Sequence, residues 1–594
     1  MAIKLIKACK ELNISMKTLL DFCSTMGYNV PADPNFRIDD DVYLSLAKEF
    51  GSTTKVEQRG IQSIGADNFR KFEKLAPIHL NGITYIVGGN NAGKSTVVKA
   101  LRLVVENLRT LASMGSEYSL EDIRPKFRLD IEGVNIGTFE KAHNRNSATQ
   151  SISFRADLSD TITATIIVEP ISAVSPIATL SFLRIEDKDV NCAFEADAKE
   201  GEMRLYNIAG TAATEDSEMR LEALKKSLDS IKMEISSYQL QLAMPIVSVE
   251  KRMEMVDKTT RLKAEQEKLE KVIKSVEADI KQRQQSAGSP TGELLFETDL
   301  SINNENPDDN LLVRYMKGMR VQLRTQNTKS QSQKSKNPVY EQNIGKMIAN
   351  YRLALAASSI EYIGAHAATQ KTIFSLDDHN DETVAIIHEW YQQHMHSGEE
   401  EYDFVTRWMG ILGIGVGFEI KNLYGEAYAV DIKEHDGKGL SSMSELGMGA
   451  IQMMTLLLHI SSLLRKYKGG RKPLVIFEEP EQNMHPNWQS HLAEIFNEVR
   501  EKGFRIMVET HSEYMIRKSQ VQVASMNYVN QEELNEMCPI ATYYFPATSE
   551  PYKMEYRTTG GFTKPFGEGF FDEAAKWDMA IIQNEVSNPV KRVR

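Results

Sequence analysis

Apolar positions along the chain fall into three kinds of pattern. Short, mostly apolar runs at Ile83–Val87, Leu474–Phe477 and Arg505–Val508 have the length of buried strands. Helical spacing marks LIKACKELNIS and MKTLLDFCSTMGY within residues 1–50, with Ser15 placed to cap the second segment and a third starting at Asp39. The longest apolar run, Ala450–Leu464, contains Gln452 and His459. It is too short to span a bilayer and predicts a buried core helix. The third pattern is a seam at 3-4-3-4 spacing through Leu221, Leu224, Leu228, Ile231, Ile235, Tyr238 and Leu242. Pro245 interrupts it, and a second arm follows through Leu262, Leu269, Ile273, Val276 and Ile280, with Gln266 at one seam position. Residues 218–282 therefore predict an antiparallel coiled-coil hairpin with arms of about 30 Å at 1.5 Å per residue.

Between these patterns lie polar stretches. Residues 51–60 read as a linker, and 283–310 and 322–340 carry few apolar residues. QNTKSQSQKSKNP holds three lysines and no acid. It is a candidate contact for DNA or RNA, against the plainer alternative of a solvated loop.

Composition narrows the class. The 594 residues suggest several domains, and 41% hydrophobic with 26% charged residues is ordinary for a soluble globular protein. A net charge of −12 argues against a general nucleic-acid coat. Cys9, Cys23, Cys192 and Cys538 show no paired metal spacing, and no secretory signal is visible. A reduced, cytoplasmic protein without membrane contact is the expectation.

The chemistry begins at Gly88-x4-Gly93-Lys94-Ser95, between a strand-like run and a helix-like stretch. This is a complete phosphate-binding loop. The amides of Asn90, Asn91, Ala92, Gly93, Lys94 and Ser95, with Thr96 behind them, converge at a helix N-terminus that favours anions. Lys94 would reach the β- and γ-phosphates of ATP, and Ser95 would hold Mg²⁺. Farther on, the strand ending at Phe477 runs into Glu478, Glu479 and Pro480. Glu478 is placed to bind Mg²⁺ through its water shell, and Glu479 to orient or deprotonate the attacking water. Ser444, Gly447 and Gly449 precede the long apolar helix and form a second candidate anion site. His511 follows a further strand.

The order of phosphate loop, S-x-x-G-x-G, acidic strand and histidine resembles the RecF, OLD and SMC-like ATPases of the ABC class, over roughly 60–200 and 345–520. The resemblance implies an α/β fold: an ABC-type P-loop NTPase head with an inserted antiparallel coiled-coil hairpin and a small N-terminal helical domain. It divides the chain into 1–50, head residues 60–200, a hairpin at 215–285, a polar linker region at 286–345, head residues 346–520 and a C-terminal extension at 521–594.

It also implies site roles. Glu479 and His511 would be catalytic, His511 as the switch residue on the γ-phosphate. Ser444, Gly447 and Gly449 would act on ATP held by a second subunit in a head-to-tail dimer or higher oligomer. Asn483-Met484-His485-Pro486 matches the segment crossing that interface. Arg70, in an Asn68-Phe69-Arg70 segment before the loop, matches a basic residue near the nucleotide; an exposed strand-end arginine reads as well. His143 and Gln150 are candidates to approach the nucleotide, with nothing to choose between them. Two departures stand out: Glu478 replaces the more frequent Asp, and SIEYIGAHAATQKTIF lacks the family's arginine, leaving His366 and Lys371 as the nearby cations.

No Toprim nuclease pattern follows His511, so no intrinsic nuclease is expected. The stretch around Gly560-Gly561-Phe562 and GEGFFDEA resembles a defence-associated branch. There, as in Septu, retron-associated and PARIS systems, an ATPase subunit senses for or restrains a separate nuclease or toxin. A RecF- or SMC-like DNA repair ATPase is the first alternative. The second is a translation-linked ATPase, since KELNIS…LLDFCSTMGYNV resembles the N-terminal domain of translation initiation factor two.

Overall fold

The computed structural model describes residues 60–110, 126–209, 292–301, 311–329, 337–364, 371–378, 381–434, 439–567 and 573–587, with scattered positions in 3–38 and 224–274. At its centre is a six-stranded sheet. In chain order, its strands and the main helices around them are β1 (Ile83–Gly88), α1 (Lys94–Thr110), β2 (Ile360–Ile363), α2 (Met448–Lys466), β3 (Leu474–Glu478), α3 (Pro486–Glu501), β4 (Arg505–Thr510), α4 (Glu513–Ser525), β5 (Ile540–Phe545) and β6 (Tyr552–Met554). The spatial order is β2-β3-β4-β1-β5-β6. Neighbours run parallel except for the last pair.

A parallel sheet is covered on both faces, and β1 shows it. All six of its residues are buried. Ile83, Tyr85 and Val87 face one core and Ile86 the other, as the two-residue period of a strand requires. Because β4 and β5 flank β1, the phosphate loop emerges at the middle of the sheet's C-terminal edge, where ligands of open α/β sheets bind.

A second, antiparallel sheet of nine strands packs over α1. From one edge its order is Glu293–Asp299, Glu202–Asn207, Cys192–Asp197, Ile177–Asp187, Ile162–Pro170, Ile152–Asp157, Ser63–Phe69 and Phe72–His79, with Lys126–Arg128 beside Ile177–Asp187. On α1, Val97, Leu101, Val104 and Leu108 recur at helical spacing and share one core with Phe154 and Ile166 of this sheet. The other core joins the central sheet to α2, α3 and a small sheet around Ala427–Lys433. Among the described residues, α2 is the one helix long and apolar enough to cross a bilayer. Its Met453, Met454, Leu457 and Leu458 are packed in this core.

Four stretches differ from the sequence reading. The region 286–345, read from its polarity as a linker, supplies the edge strand Glu293–Asp299, the helix Leu311–Lys329 and the start of the helix Asn337–Ala357. Polar faces hid a single buried stripe: Leu312, Met316, Met319 and Leu323 enter the first core. The extension 521–594 contributes β5 and β6 to the central sheet itself. The first half of the head runs past residue 200, through Glu202–Asn207. Within residues 1–50, Leu5, Met16, Leu19 and Cys23 are helical, as read, and buried, but Ile3–Lys4 also pairs antiparallel with Arg37–Ile38. That unit meets the main body where the Met16 amide donates to Glu533 Oε1 at 3.2 Å.

The described positions of the 218–282 stretch are helical, with Leu228, Ile235 and Ile273 buried. Lys232 Nζ lies 3.9 Å from Glu270 Oε1 and ties the first arm to the second. The rest of that stretch, including Pro245, lies outside the described residues.

Candidate functional site

The phosphate loop closes tightly on its surroundings. Gly88 (φ 158°) and Gly93 (φ 103°) hold backbone angles that a side chain resists. A Cβ on Gly93 would lie 2.4 Å from the ring of Phe72. Within the loop, the Ala92 amide donates to the Gly89 carbonyl at 3.3 Å and the Thr96 amide to Gly93 at 3.0 Å. Among the described residues, the amides of Asn90, Asn91, Gly93, Lys94 and Ser95 make no hydrogen bond. With no acid in the first turn of α1, this is a row of free donors at a positive helix end.

Lys94 is buried. Its ammonium donates to the Gly88 carbonyl at 3.2 Å and the Gly89 carbonyl at 3.0 Å. It also lies 2.9 Å from His511 Nε2. An ammonium only donates, so Nε2 accepts and His511 is the neutral tautomer with its proton on Nδ1. Burial lowers the His511 pKa, Lys94 lowers it further, and Glu479 works against both. Lys94 is itself lowered by burial, with Glu509 the foremost charge opposing that.

Carboxylates converge from two strand ends. Glu478 and Glu509 are register partners on β3 and β4. Glu478 Oε2 accepts the Tyr362 hydroxyl, and the Arg102 guanidinium stacks 3.9 Å from the centre of the Tyr362 ring. Glu509 Oε1 accepts the Ser95 hydroxyl at 2.8 Å. Burial raises the Glu509 pKa to about 7, and Glu478 adds to that against the Ser95 hydrogen bond. Glu479 sits just past β3 in a left-handed conformation (φ 44°), its amide donating to the Glu509 carbonyl at 2.8 Å. Its Oε1 lies 3.5 Å from His511 Nε2, and its Oε2 accepts from Gln482 at 2.6 Å. Glu481, buried beside it, accepts the His511 amide at 2.6 Å and so fixes the backbone that carries the imidazole. Loop, ammonium, imidazole and carboxylates thus form one connected group.

A family model described as AAA ATPase domain (AAA_15) matches residues 60–516. The chain belongs to that family. Curated relatives of this ATPase are bacterial translation initiation factor IF-2 proteins. It is 38% identical to that of Parabacteroides distasonis over 71 residues, 12% of this chain and 7% of the relative. With that of Bacteroides fragilis it shares 26% over 139 residues, 23% of this chain and 12% of the relative. The ATPase therefore spans only a small part of the length of these relatives.

Among solved structures it is similar to Smc head domains. One, from Pyrococcus furiosus, has an extended coiled coil bound to the C-terminal domain of ScpA; identity is 9%, coverage 88% of this chain and 99% of the other, and the TM-score 0.28. The SMC head from Thermotoga maritima matches at 10% identity, 82% and 94% coverage and a TM-score of 0.27. Strand β5 lies beyond the family match yet borders the phosphate-loop strand of the ATPase.

The other sequence candidates are placed as follows. Ser444 sits in a 3-10 turn, its hydroxyl 2.9 Å from that of Ser442 and accepting from Thr372 at 3.3 Å. Gly447 caps α2, whereas Gly449 lies inside its first turn rather than before it. A Cβ on Gly449 would lie 2.5 Å from the Asn483 carbonyl oxygen, so the start of α2 rests on the loop after the acidic strand. No hydrogen bond among the described residues joins Ser444, Gly447 or Gly449 to the phosphate loop of the same chain.

Arg70 occupies a left-handed turn (φ 53°) between Ser63–Phe69 and Phe72–His79, its amide bonded to the Ala142 carbonyl at 2.6 Å. The neighbouring Lys71 touches the loop instead, donating to the Asn91 carbonyl at 3.1 Å and to that of Ala547 at 3.0 Å. His143 Nε2 lies 2.7 Å from the Thr149 carbonyl oxygen, and Gln150 is exposed. Lys371 is held 2.5 Å from both Asp378 and Asp381. His366 lies outside the described residues.

Sequence reading missed Glu509, Glu481, Tyr362 and Lys71. Only Glu509 left a local signal, an acid ending an apolar strand as Glu478 does. The other three are recognisable by their partners alone.

Proposed function

We propose that this ATPase binds ATP in the Gly88–Thr96 loop and hydrolyses it with Glu479 and His511, as the regulatory subunit of a bacterial antiviral system whose damage is done by a separate nuclease or toxin. The observation that carries the catalytic part is the contact series Lys94–His511–Glu479 beside a loop of unpaired amides.

Each residue has a distinct task. The amides and Lys94 neutralise the phosphates. Lys94 exchanges two carbonyl contacts within its own loop for phosphate oxygens. Glu479 is the acceptor for the proton of the attacking water. Once Lys94 turns to the phosphates, neutral His511, on the amide held by Glu481, is free to carry its ring proton on Nε2 and donate it in a hydrogen bond to the γ-phosphate. The oxygen donors Ser95 and Glu478 suit Mg²⁺, which keeps several waters and is bound through one or two carboxylates plus phosphates. Among the described residues no group of three or more His, Cys, Asp or Glu is arranged to hold a metal alone, which fits a cation arriving with the nucleotide. When bound, Mg²⁺ would draw charge from the β- and γ-oxygens.

Ser444, Gly447 and Gly449 lie around the start of α2 without bonding to their own phosphate loop among the described residues. This supports a head-to-tail dimer in which they close on ATP held by the other subunit. The exposed Trp577, Met579, Ile581 and Ile582 of the helix Glu573–Ser587 support a protein partner.

The test compares bacteria carrying this gene with its natural neighbours, wild type or Lys94→Ala, under phage challenge. Purified protein is assayed in parallel for phosphate release, with Mg²⁺ and with EDTA. Protection lost in the variant, with hydrolysis dependent on Mg²⁺, is the expected result. Hydrolysis without any protection by the wild-type locus would remove the defence role and leave the ATPase.

A further inference from the structure

The edge strand β2 sends a side chain to the acidic strand. Tyr362 is the register partner of Ile476 on β3, and Glu478 lies two residues farther along the same face of that strand. The Tyr362 hydroxyl leans across and donates to Glu478 Oε2, while Oε1 has no hydrogen-bond partner among the described residues. Behind the phenol, the Arg102 guanidinium of α1 lies 3.9 Å from the ring centre, within reach of a cation–π contact. The same guanidinium donates to the Gly133 carbonyl at 2.8 Å and to the Glu132 carbonyl at 3.0 Å. Both carbonyls lie at the tip of the hairpin formed by Asp130–Ile131 and Val134–Asn135. Gly133 (φ 66°) is packed so closely that a Cβ there would lie 2.6 Å from Arg102 Nη2. Hairpin, guanidinium, phenol and carboxylate make one continuous series of contacts.

We propose that Tyr362 is a positioning residue for Glu478, and that Arg102 ties that position to the hairpin of residues 130–135. The inference rests on reading Glu478 as part of the ATP site. A glutamate carboxylate at a strand end swings about several side-chain bonds, and the strand ladder does not orient it. The phenol fixes one oxygen and leaves the other to face a ligand. As a neutral donor it restrains the carboxylate without cancelling its charge, which a lysine or arginine in its place would do. The stack on Arg102 holds the ring in turn. Arg102 commits its planar fork to the two hairpin carbonyls, so a shift of the hairpin tip moves the guanidinium, the ring and the carboxylate together.

The test is steady-state phosphate release by the full chain in excess Mg²⁺. Tyr362→Phe keeps the ring and its stack and removes the hydroxyl. Its kcat should fall roughly tenfold to a hundredfold, the scale of losing a residue that orients a ligand. Its KM for ATP should stay at the wild-type value, because Lys94 and the loop amides hold the nucleotide. Fluorine NMR reads the contact without turnover. With meta-fluorotyrosine placed at position 362, the line should shift in Glu478→Gln and in Gly133→Ala, which displaces Arg102. Gly133→Ala should also lower kcat, and should add nothing on top of Tyr362→Phe. If the phenylalanine variant does not fold, Arg102→Lys, which keeps the charge and loses the fork, should give the same loss of kcat and a shifted line. A folded Tyr362→Phe protein with wild-type kcat, or with its loss entirely in KM, overturns the positioning role, as does a fluorine line unmoved by Glu478→Gln. Additive losses from Gly133→Ala and Tyr362→Phe overturn the link through Arg102. Wild-type hydrolysis by Glu478→Gln removes Glu478 from the ATP site, and this inference with it.

Discussion

Gly88 and Phe545 approach so closely that a Cβ on Gly88 would lie 2.3 Å from the Phe545 carbonyl oxygen. The two residues are register partners at the ends of β1 and β5. The phosphate loop therefore leaves the sheet against a strand from the far end of the chain. Gly88→Ala should cost about 1–3 kcal/mol, as overpacking does, with added strain from the positive φ. Chemical denaturation of the purified variant reads this. A truncation after residue 525 should lower soluble yield more severely, since it bares the whole edge of β1.

Lys94→Ala should abolish nucleotide binding. The ammonium already sits between the loop carbonyls and His511, and no other ammonium bonds to this inner side of the loop among the described residues. Isothermal titration with ATP and Mg²⁺ checks it, and wild-type affinity in the variant would sink the loop assignment.

Glu479→Gln should leave ATP binding intact and slow hydrolysis by roughly two or more orders of magnitude, the scale of a lost general base. ATP would then persist between heads, and light scattering should show an ATP-dependent dimer or a larger assembly built from dimers. A variant hydrolysing at the wild-type rate removes Glu479 from the chemistry. One that loses hydrolysis but assembles without regard to ATP removes the head-to-tail model instead.

Deleting residues 218–282 with a short bridge should preserve nucleotide binding and impair the response to a partner or trigger. The described seam residues Leu228, Ile235 and Ile273 belong to neither main core, and Lys232 pairs within the stretch, to Glu270. Insoluble protein after the deletion would show that the arms support the head.

Glu481 gives a prediction in pH. Burial raises its pKa above the ordinary carboxylate range. A carboxyl whose folded pKa is raised holds its proton longer in the folded state. Its contribution to stability is full below the unfolded pKa and is lost as pH rises through the folded one. Glu481→Gln keeps an acceptor for the His511 amide and has no proton to lose. Its melting temperature relative to wild type should therefore increase as pH is raised from about 4, near the unfolded carboxylate value. A constant difference across pH would show that Glu481 does not titrate in this way.

The sequence by itself determined the features whose physics is local. Gly88-x4-Gly93-Lys94-Ser95 requires a strand, a turn and a helix within one short stretch, and all three are found there. The run into Glu478 and Glu479, the strand before His511 and the buried helix at Met448–Lys466 are legible for the same reason, because period and punctuation lie within a few residues. Tertiary structure decided which strands are neighbours. Parallel partners carry no mutual signal in sequence, since each is simply an apolar run, and so β5 was invisible as the neighbour of β1. It likewise decided that Glu509 rather than Glu478 accepts the Ser95 hydrogen bond, that Tyr362 engages Glu478, and that Lys71 rather than Arg70 reaches the loop. Those contacts join residues 20 to 414 positions apart, and only the packing of the sheets brings them within hydrogen-bond distance.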